Sequence, residues 1–361
     1  MKELPAAMRG VILTGHGGPE MLSYRTDLAV PKPGPGEVLV QVMAAGVNNT
    51  DINTRVGWYS KHEGADADAS WTGAPIGLPR IQGIDVCGII AHVGAGVPPE
   101  RIGSRVLIEP CLREAGAEML ERPWFLGSEC DGGFAEYVAV ASRHAHAVKS
   151  PLSDIELASF PCSYSTAENM LARTEVGSGD TVLVTGASGG VGSAAVQLAR
   201  ARGATVIAVT QARKAEALRA IGAGRCAPRG PGLLDAVGRD SVDVVIDLTA
   251  GPDWPLLPEL LRPFGRYAVA GAIAGPIVAL DVRTLYLKDL TFFGCTVLGD
   301  GVFASLIAHI EAGRIAPLVA ASYPLKDITK AQAAFQRKDH IGKIVLGVGT
   351  PDAPESQEAT E

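Results

Sequence analysis

Asp180-Thr-Val-Leu-Val-Thr-Gly-Ala-Ser-Gly-Gly-Val-Gly192, followed by Ser193-Ala-Ala-Val-Gln-Leu-Ala-Arg200, is the stretch that decides the fold. Thr181 to Val184 is short, apolar and β-branched, so it reads as a buried strand. Val191, Ala194, Ala195 and Leu198 recur at helical spacing with a narrow inner face, so a helix follows. Gly186, Gly189, Gly190 and Gly192, with Ser188 and Val191 among them, make the turn between the two. Glycines there let backbone N–H groups approach a pyrophosphate, and the helix N-terminus adds a partial positive charge. A glycine triplet alone is weak, but here it follows a strand, opens a helix and precedes a second strand, Thr205 to Val209. That context is what a dinucleotide site needs. The alternative is a tight strand–helix turn that holds no ligand.

Outward from this stretch, residues 151–312 alternate strand and helix. Strands are expected at Thr181–Val184, Thr205–Val209, Val242–Leu248, Gly265–Ala270 and Thr291–Cys295. Helices are expected at Ser193–Arg202, Arg213–Ile221, Leu233–Gly238 and Trp254–Leu261. Such alternation implies right-handed crossovers and a doubly wound parallel sheet. Residues 1–150 carry short strand signals instead: Arg9–Leu13, Val38–Val42, Val86–Val93, Ser104–Ile108 and Gly132–Val140, punctuated by Gly and Pro. They predict a partly closed barrel. A helix at Val302–Ala312 is followed by strand signals at Ala320–Pro324 and Lys343–Val348, so residues 313–349 are expected to rejoin the barrel. The polar, acidic tail 350–361 is expected to be disordered. Two excursions interrupt the barrel. Ser60–Pro79 holds His62, Glu63, Asp66, Asp68 and Trp71, and Cys111–Cys130 holds Trp124 and Phe125.

The 361 residues suit two domains, and nearly half are apolar, enough for large cores. A net charge of −7 argues against nucleic acid and anionic membrane as partners. No apolar run reaches the length of a membrane span, and the N-terminus lacks an apolar signal core. The six cysteines are scattered without a Cys-x-x-Cys pair, which fits a reduced cytoplasmic protein. His144 and His146 alternate on a strand and read as a solvated face.

Several stretches resemble the medium-chain dehydrogenase/reductase superfamily, specifically its zinc-free quinone or enone oxidoreductase branch. They are Pro33-Gly-Pro-Gly-Glu-Val-Leu-Val, Ala45-Gly-Val-Asn-Asn-Thr-Asp-Ile-Asn, Gly83-Ile-Asp-Val-Cys-Gly, Gly103-Ser-Arg-Val, Gly132-Gly-Phe-Ala-Glu-Tyr, the glycine turn, and His340-Ile-Gly-Lys-Ile-Val. The resemblance covers nearly the whole chain and keeps the family's order. It implies a GroES-like β-barrel catalytic domain, an inserted Rossmann domain and an active site in the cleft between them. Zinc-dependent members carry Cys, His and Cys where this chain has Asn48, Ile84 and Cys162, with Asp85 in the place of a Glu. Asn and Ile are not zinc ligands. Four closely spaced Cys for a structural zinc are also lacking, so neither a catalytic nor a structural zinc is expected. Cys162 reads as a small core or cleft residue.

An NAD-specific site places a carboxylate about 20 residues past the glycines. Here Val209-Thr210-Gln211-Ala212-Arg213-Lys214 offers a hydroxyl, an amide and two cations, which suit a 2′-phosphate, so NADPH is expected rather than NADH. The alternative is that Arg213 and Lys214 merely solvate a helix start. By resemblance, Asp247–Gly251 (with Thr249) and Gly271, Ala272 and Ile273 line the cofactor. Thr166 would lie near the nicotinamide, and Lys343 would close the pocket. Enoyl-thioester reductase relatives carry a Tyr after the Asn-x-x-Asp stretch as acid or oxygen-side donor, and Tyr59 stands at the matching place. Its other reading is an aromatic packed under the excursion. Asn48 would bond substrate or the nicotinamide carboxamide, or else satisfy its own turn. Asp51 reads as holding that turn. Trp58 and Trp71 would shape an apolar pocket or cover the domain core.

The function expected is transfer of hydride from NADPH to an activated C=C, quinone or enone of a small molecule. The alternatives are an alcohol dehydrogenase acting on a carbonyl/alcohol pair and an NADPH-binding regulatory protein with little turnover. Relatives pair their last Rossmann strands across a two-fold axis, and Thr291-Phe-Phe-Gly-Cys-Thr-Val297 is apolar enough to do so, so a homodimer is expected.

Overall fold

The computed structural model describes residues 4–60, 70 and 75–349. His62, Glu63, Asp66, Asp68, Trp71 and the acidic tail lie outside them. The chain divides into two compact units. The first takes in Met1–Cys162, Pro317–Asp339 and Lys343–Glu361, and the second Ser163–Ala316 and His340–Gly342.

The first unit begins with β1 (Ala7–Leu13), β2 (Leu22–Ala29), β3 (Glu37–Val47), α1 (Asn49–Arg55), β4 (Arg80–Ile81) and β5 (Asp85–Val93). It continues through β6 (Arg105–Ile108), β7 (Cys111–Ala115), β8 (Glu118–Phe125), β9 (Tyr137–Ala141), β10 (Ala145–Ala147) and α2 (Asp154–Leu157). The second excursion is thus an ordered β7–β8 hairpin. The short helix α2 has a capping box in which Ser153 and Glu156 bond each other's backbone N–H groups. It packs on β3 and β5. This packing and a Cys162 N–H bond to Asp85 Oδ1 (2.5 Å) hold residues 151–162 to the first unit. The unit boundary therefore falls after Cys162, later than the strand signals alone place it.

The second unit opens with α3 (Pro161–Arg173), of which Ser163 onward belongs to it, and runs through β11 (Thr181–Val184), α4 (Gly190–Ala201), β12 (Thr205–Val209), α5 (Ala215–Ala220), β13 (Arg225–Ala227) and α6 (Leu233–Val237). Then come β14 (Val242–Asp247), α7 (Leu256–Leu260), β15 (Leu261–Val269), α8 (Val282–Leu287), β16 (Thr291–Gly294) and α9 (Val302–Glu311). Its six strands are all parallel, in the order β13-β12-β11-β14-β15-β16. This doubly wound order reverses direction beside β11, where ligands bind outside the strands' carboxyl ends. Val182, Leu183 and Val184 are wholly buried, as a strand covered on both faces requires. Every residue of α4 from Gly192 to Ala199 is buried.

The chain then returns through β17 (Val319–Pro324), α10 (Ile328–Arg337) and β18 (Lys343–Gly347). Its first-unit sheet has the order β10-β6-β5-β3-β18-β17, with β9 also on β3. The eleven-residue β3 serves three partners. Its first half pairs β9, its last residues pair β18, and β5 runs along most of its length with register shifts after Leu39 and Val42. Those shifts bend the strand. A smaller sheet, β2-β1-β4, is tied to this one by the Val11 N–H to Phe134 carbonyl bond. β3 leads straight into α1, so the Asn48 turn sits at the end of the central strand.

His144 does not lie on a solvated face. It is 1% exposed, and its Nε2 accepts the backbone N–H of Arg113 (2.9 Å) and Glu114 (3.2 Å). An Nε2 that accepts leaves the proton on Nδ1, which donates to Glu109 Oε2 at 3.1 Å. His146 Nε2 reaches the same oxygen at 3.2 Å. Burial pushes the Glu109 carboxyl up, but the hydrogen bonds from the two histidines outweigh it and hold the group at about 2. His144 lies in the tight turn just before β10 rather than on the strand itself, and the β7–β8 hairpin covers it. His144→Ala would strand two backbone donors and leave the half-buried Glu109 carboxylate with His146 alone. It is expected to lower stability by about 2–4 kcal/mol, read as a shift in the urea midpoint. An unchanged midpoint would mean the hairpin is not held through this ring.

Candidate active site

The glycine turn lies at the carboxyl edge of the second unit's sheet. Gly186 adopts φ +56°, and a Cβ on Gly192 would stand 2.3 Å from the Gly186 carbonyl oxygen. Only glycine lets α4 start that close to β11. The exposed Gly189 caps α4, and Gly190 and Val191 are its first residues, so their N–H groups leave the helix end unbonded within it. Ser188 is buried, and its carbonyl accepts the Gly342 N–H at 3.2 Å.

Beside the turn, the loop after β14 is built on Asp247, which is fully buried. Its Oδ1 accepts Thr185 Oγ1 (2.6 Å) and the N–H groups of Thr249 (3.0 Å) and Ala250 (3.2 Å), and its Oδ2 accepts Tyr267 Oη (2.7 Å). Trp254 Nε1 donates to the same phenol. Burial, with the Asp247 charge, pushes the Tyr267 phenol up, so it remains a donor. A Cβ on Gly271 would lie 2.8 Å from the Leu248 carbonyl oxygen, and one on Gly186 would lie 3.1 Å from Thr249 Cγ2. The glycine turn, Thr249 and Gly271 are therefore neighbours, with half-buried Ala272 following. Thr166 is half-buried on α3.

Past β12, the four residues at the expected phosphate position separate. Thr210 is buried, and its Oγ1 has no partner among the described residues. Gln211 and Arg213 are exposed, with Arg213 Nε on Gln211 Oε1 at 3.1 Å. Lys214 is buried, and its Nζ donates to the His340 carbonyl at 2.8 Å. An orphaned hydroxyl, an amide and an exposed guanidinium fit a phosphate-bearing ribose. Lys214 instead anchors the segment ahead of β18.

In the first unit, β3, β5, α1 and β18 bring Asn48, Asp51, Asp85 and Lys343 together, all buried. Lys343 Nζ pairs with Asp85 Oδ2 (2.8 Å) and donates to the Val47 carbonyl (3.1 Å) and Asn48 Oδ1. Asn48 Nδ2 donates to Asp85 Oδ2 (2.8 Å) and the Gly46 carbonyl (3.3 Å). Both Asn48 amide hydrogens are thus in use, and only lone-pair capacity on Oδ1 is left to offer. Asp85 Oδ1 takes the Cys162 N–H. Asp51 caps α1 by accepting the Asn48 N–H at 2.8 Å, which fits its expected role in the turn. Two carboxylates share one ammonium here. Burial, aided by the Asp85 charge, raises the Asp51 carboxyl to about 7 against the lowering effect of the Asn48 N–H and Lys343.

These residues do not fit a zinc ion. Asn48 and Ile84 offer no ligand atom zinc prefers, both Asp85 oxygens are engaged, and a dication would face the Lys343 ammonium. Among the described residues no group of three or more His, Cys, Asp or Glu side chains is arranged to hold a metal. Lys343 therefore serves Asn48 and Asp85 directly. Its pairing was open to suspicion in sequence, since a lysine opening the apolar run Lys343-Ile-Val-Leu needs a buried partner.

Tyr59 is half-buried beyond α1. Its hydroxyl donates to Thr50 Oγ1 at 3.2 Å, and Trp58, 43% exposed, meets its ring edge-on at 5.4 Å.

Residues 34–151 match the family described as the alcohol dehydrogenase GroES-like domain, and residues 190–312 match the one described as zinc-binding dehydrogenase. The quinone oxidoreductase of Homo sapiens is 29% identical over 353 residues, covering 94% of this chain and 97% of that protein. The NAD-dependent alcohol dehydrogenase of Saccharolobus solfataricus is 29% identical over 356 residues, covering 94% and 99%. The solved structure of a protein described as an alcohol dehydrogenase, from Sinorhizobium meliloti, superposes with a TM-score of 0.87 at 44% identity, covering 96% of this chain and 98% of that one.

The raised Asp51 carboxyl sets a pH dependence. The native state holds a proton that the unfolded chain releases near pH 4. Stability from this group is therefore present below pH 4 and lost as pH rises to about 7. Asp51→Asn lacks that loss. Its stability relative to the parent chain should improve between pH 4 and 7 and stay level above, in denaturant titrations at several pH values. A difference that does not vary with pH would show that Asp51 titrates normally.

Proposed function

The chain belongs to the medium-chain dehydrogenase/reductase superfamily, and from that premise we propose that it is a zinc-independent, NADPH-dependent reductase of conjugated acceptors such as enones, quinones or enoyl thioesters. Oxidoreductase chemistry with a nicotinamide dinucleotide is common to the family. The observation that carries the finer reading is the Asn48–Asp85–Lys343 cluster. Where a metal-dependent member would hold its ion, this chain has an ammonium of its own, with the donor atoms around it already engaged.

Gly186, Ser188, Gly189, Gly190 and Val191 would hold the pyrophosphate, Thr249, Gly271 and Ala272 would line the cofactor, and Thr166 would approach the nicotinamide. When bound, the reduced cofactor supplies the hydride. Thr210, Gln211 and Arg213 support the 2′-phosphate, and the buried Thr210 hydroxyl, with no partner among the described residues, has its hydrogen-bonding capacity to offer there. Tyr59 is the neutral donor for the substrate oxygen, stabilising charge as it develops and delivering a proton. Asn48 acts by orienting Lys343, whose fixed positive charge favours that oxyanion. Trp58 offers apolar surface for a conjugated acceptor.

The test combines metal analysis, titration with NADPH and NADH, and turnover against enones, quinones and alcohols. NADPH is expected to bind at least tenfold more tightly than NADH, and Arg213→Ala to remove about tenfold of that. Tyr59→Phe should lower kcat about a hundredfold with an enone. Stoichiometric zinc with alcohol oxidation would place the chain with the alcohol dehydrogenases it resembles. Tight NADPH binding without turnover of any acceptor would favour a regulatory protein.

We also propose a homodimer. β16 is an edge strand, and the neighbouring stretch exposes Ile273, Ile277, Val282, Tyr286 and Leu287, with Ile277 88% exposed. A patch of this kind marks an interface. Sedimentation should give twice the chain mass, and Leu287→Asp should shift it toward the monomer; a monomeric parent chain at micromolar concentration would refute the assembly.

A further inference from the structure

The Tyr59 side chain is held by the helix it follows. α1 ends at Arg55, and the Val56 N–H still reaches the Ile52 carbonyl. Gly57 then takes φ +71°, which an L side chain rarely adopts. Its N–H bonds the Thr54 carbonyl, the Trp58 N–H bonds the Asn53 carbonyl at 2.9 Å, and the Ser60 N–H bonds Gly57. The chain therefore doubles back along α1 and brings Tyr59 Oη to Thr50 Oγ1 near the start of the same helix.

Both ends of this short helix are anchored. The buried Arg55 donates to the Gly17 carbonyl at 2.7 Å, the Gly17 N–H returns to the Arg55 carbonyl, and His16 Nδ1 lies 3.1 Å from the Thr54 carbonyl. At the other end, Asn49 Oδ1 takes Lys338 Nζ, and Asp51 holds the Asn48 N–H. Thr50 lies between those two fixed residues, so its hydroxyl stands at a set place beside the phenol.

We propose that Thr50 is a positioning residue for Tyr59, orienting the phenol and stabilising its oxygen when it gives up its proton. The inference rests on the reading of Tyr59 as the oxygen-side donor. With no substrate, Tyr59 donates to Thr50. When a substrate oxyanion accepts from Tyr59, rotation about the Thr50 Cβ–Oγ1 bond turns the threonine hydroxyl into the donor and Tyr59 into the acceptor. If the proton moves, the Tyr59 O–H bond breaks as the new bond to hydrogen forms on the substrate. The phenolate keeps the electron pair, accepts a hydrogen bond from Thr50, and is reprotonated by water. A donor to the phenolate lowers the phenol's pKa and makes Tyr59 a stronger acid at neutral pH. A β-branched threonine, stiff at χ1, suits the task better than serine.

The experiment uses the full-length protein loaded with NADPH and a simple enone, 3-octen-2-one. Thr50→Val, Thr50→Ser, Tyr59→Phe and the Thr50→Val/Tyr59→Phe double variant are compared by kcat, KM and the pH profile of kcat. Thr50→Val should lower kcat three- to tenfold with little change in KM. It should also move the basic limb of the profile up by about half to one pH unit, the shift that such a fold-change represents. Thr50→Ser should restore most of both. In the Tyr59→Phe background Thr50→Val should do nothing further. A Thr50→Val enzyme with the parent's kcat and basic limb, while Tyr59→Phe is crippled, would overturn the role of Thr50 alone. An unaffected Tyr59→Phe enzyme would overturn the reading of Tyr59, and the role of Thr50 with it. Equal loss in Thr50→Val and Thr50→Ser, with thermal midpoints lowered and no shift of the basic limb, would reduce Thr50 to a helix-stabilising residue.

Discussion

Burying a lysine ammonium requires a carboxylate and further acceptors at hand, and Lys343 finds them in Asp85, the Val47 carbonyl and the Asn48 amide. That constraint ties four pieces of the first unit into one place. β18 brings the lysine, β5 the aspartate, the end of β3 the asparagine and a carbonyl, and the first turn of α3 the Cys162 N–H. Remove the ammonium and Asp85 and Asp51 would be two carboxylates in a nearly dry site. With it present, one carboxylate pairs and the other keeps its proton to about pH 7. The cluster thereby sets the start of α1, and α1 sets Tyr59.

A buried acid organises the second unit as well, by different means. Asp247 has no cation beside it among its hydrogen-bond partners. Its charge is spread over hydroxyls and backbone N–H groups from Thr185, Thr249, Ala250 and Tyr267. Such bonding holds the loop after β14 against the glycine turn, where close approach is possible only because Gly192, Gly186 and Gly271 lack side chains. Each unit thus carries its polar centre at the end of a central strand: β3 in one, β14 beside β11 in the other.

Much of this was legible in the chain. The apolar β-branched runs at Thr181–Val184 and Thr205–Val209 became β11 and β12 with the expected bounds, because buried parallel strands leave a continuous apolar signal. The short α1, α2 and α8 and the three-residue β13 were not anticipated, and neither were the longer α3 and α10, whereas the five-residue α6 and α7 were, so length alone does not set what a chain displays. His144 was misread. It belongs to the turn before β10, not to the strand, and the β7–β8 hairpin that buries it lies about thirty residues away in sequence.

The sequence by itself determined the two-unit plan, the parallel sheet with its glycine turn, and the residue types at Asn48 and Ile84. Those follow from local patterns and from side-chain chemistry, which a chain displays without folding. Only the tertiary structure decided what surrounds Asn48. Lys343 is 295 residues from Asn48, and no local pattern pairs them. It also separated Lys214, turned inward to His340, from the exposed Arg213 beside it, and folded Tyr59 back onto Thr50. Hydrogen bonding and burial are properties of neighbours in space, and the register of strands and the turn at Gly57 select those neighbours.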